Sequence, residues 1–197
     1  MPADLPDLGA RADQAQLETE PAGDSPLEAL ARQLAQSHTV SRRRDSASPL
    51  LNYLKDRDAF LQSVYQYFAS APPEEIAFSA AAEWVLDNFY IVRQALHLIR
   101  EDMPKSYYRQ LPKLDAGPLQ GYPRIYAVAR EMIREAKAYL DPDRLRRFSH
   151  AYQRIAPLTV GELWALPIML RLGILECLTD ALGRLTGLPS DQPLPPA

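Results

Sequence analysis

One cysteine, Cys177, stands in 197 residues. No internal disulfide can form, so the fold rests on a core, and the chain suits a reducing compartment. Glycine is scarce, at eight residues, and none of them is spaced as a phosphate-binding loop. Neither sign of charge dominates: 22 Lys and Arg stand against 25 Asp and Glu, for a net charge of -3. A nucleic-acid partner would call for a strongly basic face, so none is expected. No window reaches the roughly 18–20 uncharged apolar residues that span a bilayer. The best run, Leu163 to Leu170, is cut by Glu162 and Arg171. Met1-Pro2-Ala3-Asp4 has neither the basic start nor the apolar run of a signal peptide, so export is not expected.

What is present is apolar residue, 47% of the chain, patterned at helical spacing. We expect an all-α protein: a multi-helix bundle with a long ordered loop and a disordered N-terminal tail. The expected divisions are a disordered tail over 1–24, a helical domain over 25–187 and a flexible tail over 188–197. Residues 1–24 are too polar and Pro-rich to offset the entropy of ordering.

Ser25, Pro26 and Glu28 predict a capped helix ending near Ser37. A linker, 39–48, carries Arg42-Arg43-Arg44, too short a run for a defined patch. A second helix opens at Pro49, with Leu50, Leu54, Leu61, Val64 and Phe68 on its inner face. The third starts at Pro73 or Ser79 and reaches Arg100. Ala81, Val85, Phe89, Val92, Leu96 and Ile99 form its apolar stripe, widened by Trp84, Ile91 and Leu98. Further helices are expected over 123–140, from Pro142 with Asp141 as cap, and from Thr159 to Thr186. Thr159 and Glu162 have the spacing of a capping box, Gly187 supplies the stop, and Pro167 predicts a kink. The last helix is apolar on most sides, which places it in the middle of the bundle. No segment alternates with period two, so no strand is expected.

The stretch 102–124 has too many Pro and Gly for a long helix; Ser106 to Gln110 allows one turn. Loops of this length in compact domains are uncommon and often functional. Tyr107, Tyr108, Arg109, Lys113, Tyr122 and Arg124 lie within it. Aromatic faces stack on sugars, and arginine forks onto carboxylates or phosphates. Three outcomes stay open: the tyrosines pack on the bundle while Arg109 pairs with Glu101 or Asp102, the loop docks on another domain, or it holds a ligand.

Candidates for catalysis do not assemble. Asp56-Arg57-Asp58 and Asp141-Pro142-Asp143 have the metal-binding spacing of some glycosyltransferases, but both are read as helix starts, where Asp is favoured. Glu83 with Asp87 and Glu176 with Asp180 read as solvated helix pairs. His97 with Glu101 reads as a surface contact, and His38 and His150 have no partner at metal-ligand spacing. Cys177 reads as a core thiol. We expect no catalytic residues, no metal and no cofactor.

Several blocks together resemble one family. They are Ala82-Glu83-Trp84-Val85-Leu86-Asp87-Asn88-Phe89-Tyr90; Ile99-Arg100-Glu101-Asp102-Met103-Pro104; Tyr107-Tyr108; Leu111-Pro112-Lys113-Leu114; Gly121-Tyr122-Pro123-Arg124-Ile125-Tyr126; Leu145-Arg146-Arg147-Phe148 with Ala151-Tyr152; and Pro157 through Arg171, containing Gly161-Glu162-Leu163-Trp164. In order and spacing they resemble the N-terminal region of bacterial cyclic β-1,2-glucan synthases, densely over half of the chain and loosely over 27–182. Cys177 departs from the Asn expected there. The resemblance implies a large inner-membrane enzyme that polymerises glucose from UDP-glucose in a separate transferase domain. That domain's Gln-x-x-Arg-Trp signature is absent from this chain, so no catalytic residue carries over.

The expectation is a non-catalytic helical module of such a synthase, a truncated or free-standing form of its N-terminal region. It would dock on the remaining domains or on a membrane-bound partner, at the cytoplasmic face of the inner membrane. Trp84 and Trp164 join Tyr107, Tyr108, Arg109, Lys113, Tyr122 and Arg124 as its docking or ligand residues. A stand-alone interaction or regulatory module and a small glycan-binding protein are the alternatives.

Overall fold

In the computed structural model, residues 25–41, 49–72, 79–136 and 140–189 are described. The N-terminal tail, the Arg42–Arg44 run and Tyr139 lie outside them. The caps act where the sequence places them. The Ser25 side chain accepts from the Glu28 amide and starts α1 (Pro26–Ser37), with Pro26 in the first turn. The Asp141 carboxylate accepts from the Asp143 amide and starts α6 (Pro142–Gln153). Thr159 and Glu162 close a full capping box at the start of α7 (Val160–Thr186). Gly187 ends that helix at φ 67, a left-handed conformation a side chain would resist. Pro167 sits inside α7 without ending it.

Two boundaries differ from expectation. Helix α3 is Ala80–Asp102, capped by Ser79, two residues longer than the periodicity suggested. Helix α5 is Arg124–Glu135 and stops before the expected Leu140. Helix α2, Pro49–Ala69, buries Leu50, Leu54, Leu61, Val64 and Phe68 as its spacing predicts. Asp56 and Asp58 are mid-helix there and not at a helix start.

Helix α7 is the central element: α5, α3 and α2 all pack on it, while α1 packs on α6 and α2 on α3. The α5–α7 contact is close because Gly173 has no side chain. A Cβ there would stand 2.5 Å from Ile133 Cδ1. Gly173→Leu is therefore expected to force the two helices apart and to cost about 1–3 kcal/mol, as overpacking does. Urea denaturation followed by helix content measures it; an unchanged midpoint would contradict this packing. Helix α5 begins deep inside: every residue from Arg124 to Ala129 is buried.

The 102–124 stretch is ordered, and its backbone groups show why. Helix α4 spans Lys105–Gln110, the expected single turn grown to six residues. A two-stranded sheet then forms, which period-two patterning did not reveal. β1 (Val40–Ser41) pairs antiparallel with β2 (Lys113–Leu114), with Val40 opposite Leu114. The pair is too short for alternation to register in sequence. Around it, the Leu114 amide donates to Tyr122 O at 2.9 Å, the Gly121 amide to Leu114 O at 2.8 Å, and the Arg124 amide to Pro112 O at 2.9 Å. Gly117 and Gly121 take φ of 84 and 83 at the turns. The backbone needs of this segment are met locally, which is what fixes a loop in place.

Candidate functional site

The loop is held from below by a buried ion pair. Arg124 opens α5 and forks onto Glu162: Nε donates to Oε1 at 2.8 Å and Nη2 to Oε2 at 2.6 Å. Nη2 also donates to Pro157 O at 3.0 Å. Glu162 takes a further bond from the Thr159 amide at 2.9 Å and one from the Thr159 hydroxyl at 3.0 Å. One carboxylate thus caps α7, pairs with α5 and ties in the turn before α7. Burial opposes the Arg124 charge, but the hydrogen bonds and charge of Glu162 outweigh it and lift the guanidinium pKa above its usual value.

Beside this pair, the ring of His38, just past α1, shares a 2.7 Å hydrogen bond with the Tyr152 hydroxyl of α6. Burial, and then the nearby Arg124 charge, push the His38 pKa down to about 4, so the ring is neutral near pH 7.

A second buried acid lies on the other side of α5. Glu176 of α7 accepts from the Tyr126 hydroxyl at 2.6 Å and is buried. Loss of solvent pushes its pKa up to about 7, against the opposing hydrogen bond from Tyr126 and the charge of Arg130. Tyr122 stacks on Tyr126 at 5.6 Å. Reading Glu176 with Asp180 as a solvated pair is therefore corrected: only Asp180 is exposed. The signal was available, because Glu176 shares helical phase with the buried Ala165, Met169, Leu172 and Thr179. Cys177 needs the opposite correction. It is exposed, one position round the helix from that buried face.

The eight predicted residues separate into two groups. Tyr108, Lys113 and Arg124 are buried, and Lys113 Nζ lies 5.0 Å over the Tyr108 ring. Tyr107 is half-buried and donates from its hydroxyl to Gly161 O at 2.5 Å, fastening the loop to the start of α7. These side chains anchor the loop. Arg109 is exposed on α4, and the acids proposed for it are engaged elsewhere: Glu101 with His97 at 3.1 Å, Asp102 with Arg171 at 3.9 Å. Tyr122 is half-buried, while Trp84 and Trp164 are exposed at 46% and 75%.

Two hollows border these elements. One of about 310 Å³ lies between α1, the loop and α5, with Leu34, His38, Leu114, Leu119 and Arg130 among its walls. The other, about 290 Å³, lies between α5 and α7 and is lined by Arg130, Arg134, Glu176 and Asp180. Both sit at the small end of the range for ligand pockets. Among the described residues no three His, Cys, Asp or Glu side chains gather as a metal site. Among them, too, no helix is long and apolar enough to cross a membrane.

The described structure is thus a helical bundle with one buried ion pair, Arg124 with Glu162, and with Trp84 and Trp164 exposed. Comparison with known proteins gives a consistent class: the chain is similar to a cyclic β-1,2-glucan synthase. The relative is the cyclic beta-(1,2)-glucan synthase NdvB of Rhizobium meliloti (strain 1021), 31% identical over 122 residues. Those residues are 62% of this chain and 4% of NdvB, so the chain spans a small fraction of that relative's length. No family model matches the chain.

Proposed function

We propose that the chain is a non-catalytic assembly module of a cyclic β-1,2-glucan synthase system, docking on the other domains of a UDP-glucose-using transferase at the cytoplasmic face of the inner membrane. The observation that carries this reading is the NdvB similarity, taken together with large apolar side chains left exposed on α3 and α7. The buried polar side chains bond inside the fold: Arg124 pairs with Glu162, and Tyr126 donates to Glu176. What the fold offers to the outside is large apolar surface, above all Trp84 and Trp164. Exposed apolar surface of this kind marks protein contacts more than chemistry.

Titration calorimetry tests the proposal. Saturable heat is expected when the chain is added to detergent-solubilised NdvB lacking its matched stretch, and none with UDP-glucose or β-1,2-glucans. Heat with the sugars and none with the synthase would overturn it in favour of glycan binding, for which the 310 Å³ hollow beside the loop is the natural seat.

A further inference from the structure

Helix α3 carries two apolar seams. The buried one runs through Ala82, Val85, Phe89, Val92, Leu96 and Ile99. The second runs through Trp84, Asn88, Ile91, Ala95, Leu98 and Asp102 in steps of four and three, roughly 100° round the helix from the first. Trp84 and Ile91 on it are 46% and 45% exposed.

Helix α7 has a matching stripe. Val160, Trp164, Pro167, Ile174, Leu178 and Leu185 again keep heptad spacing, with Arg171 among them. Val160, Trp164, Ile174 and Leu185 are exposed while the opposite face is buried. The helices adjoin, and the two stripes touch where Asp102, at the end of the α3 seam, is ion-paired with Arg171 on the α7 stripe at 3.9 Å. A bundle helix needs one such face for its own core. A second heptad face on each of two adjoining helices is the pattern that receives another helix.

We infer that the α3 and α7 seams together form the docking groove of the module, and that its occupant is an amphipathic helix with an apolar heptad face and Lys or Arg along the edge next to α3. The charge follows from the α3 surface: beyond the seam stand Glu83, Asp87 and Glu101, all exposed. These acids disfavour an anionic membrane surface and match a cationic partner edge. The inference rests on the docking reading above and deepens it.

The probe is a designed 28-residue helical peptide with Leu at its heptad core positions, made once with Lys and once with Glu at the flanking positions. Binding is read by calorimetry and by tryptophan emission. The Lys peptide is expected to bind and to shift the emission to the blue, with the Glu peptide at least tenfold weaker. In the double variant Ile91→Glu with Ile174→Glu, affinity falls at least tenfold; both sites are exposed, so helix content and melting temperature hold. Equal affinity for the two peptides, no binding, or full binding by the double variant overturns the groove. A dimer that the double variant dissociates also overturns it, in favour of self-association. The groove and the docking proposal fail separately: NdvB binding untouched by the double variant sinks the groove alone, whereas peptide binding without NdvB binding sinks the docking proposal alone.

Discussion

Arg124→Ala is expected to remove about 3–5 kcal/mol of stability, the cost of leaving one member of a buried ion pair uncompensated. In a chain of this size that lowers the melting temperature by roughly 10 °C. Glu162 is fully buried at 0% exposure and its Oε1 takes a bond only from Arg124 among those described. Without the guanidinium its charge stays in the interior, held by Thr159 alone. Arg124→Lys should recover little, because an ammonium cannot make the forked contact and also reach Pro157 O. The double change Arg124→Met with Glu162→Leu should be milder than Arg124→Ala. It removes both charges together and leaves chiefly the lost cap at the start of α7, worth about 1 kcal/mol. Thermal melts of the three variants check the order; an Arg124→Ala protein as stable as the wild type would contradict the staple.

The second large effect depends on pH. Glu176 has a folded pKa of about 7 against an ordinary 4.5. Below pH 4.5 it is protonated in both states and costs nothing. As pH rises towards 7 the unfolded chain releases the proton while the folded chain keeps it, so stability is lost across that window and the loss is complete above it. The shift corresponds to about 3 kcal/mol at pH 8. Glu176→Gln keeps an acceptor for Tyr126 and carries no charge. It should be more stable than the wild type at pH 8 by up to that amount, and equal to it near pH 4. Tyr126→Phe should extend the loss of stability to higher pH, and enlarge it, by removing the hydrogen bond that holds the carboxylate pKa down. His38 acts with the opposite sign. Its pKa is lowered from 6.5 to about 4, so it contributes stability above pH 6.5 that is lost as pH falls towards 4. The difference between Glu176→Gln and wild type at each pH isolates the acid from the histidine. Denaturant melts from pH 4 to 8 make the measurement, and parallel curves would contradict a buried, protonated Glu176.

Much of the fold was legible because the governing interactions are local. Ser25, Asp141, Thr159 and Gly187 act on amides or carbonyls within a few residues, and the α2 core follows from spacing alone. The staples were not legible. Arg124 and Glu162 are 38 residues apart, and either reads by itself as an ordinary charged position. The pairing of Val40 with Leu114 is equally remote and too short to leave a pattern. The loop residues Tyr107, Tyr108, Lys113 and Arg124 stood out by type, yet type did not say which way they turn, and the structure shows them fastening the loop. Trp84 and Trp164 were singled out by sequence, and both are exposed. Trp84, Ile91 and Leu98 widened the apolar side of α3 in the sequence, which predicts more than one neighbour, and α3 packs on both α2 and α7; periodicity did not show that Trp84 and Ile91 stay exposed.

The most direct test captures the tagged chain from detergent-solubilised membranes of a bacterium that makes cyclic β-1,2-glucan. The captured material is assayed for transfer of glucose from UDP-glucose into β-1,2-linked product. Glucan-forming activity is expected to elute with the wild-type chain and to fall with the Ile91→Glu and Ile174→Glu double variant. Activity no higher than that of an untagged control, from a chain that remains folded, would contradict the assembly role.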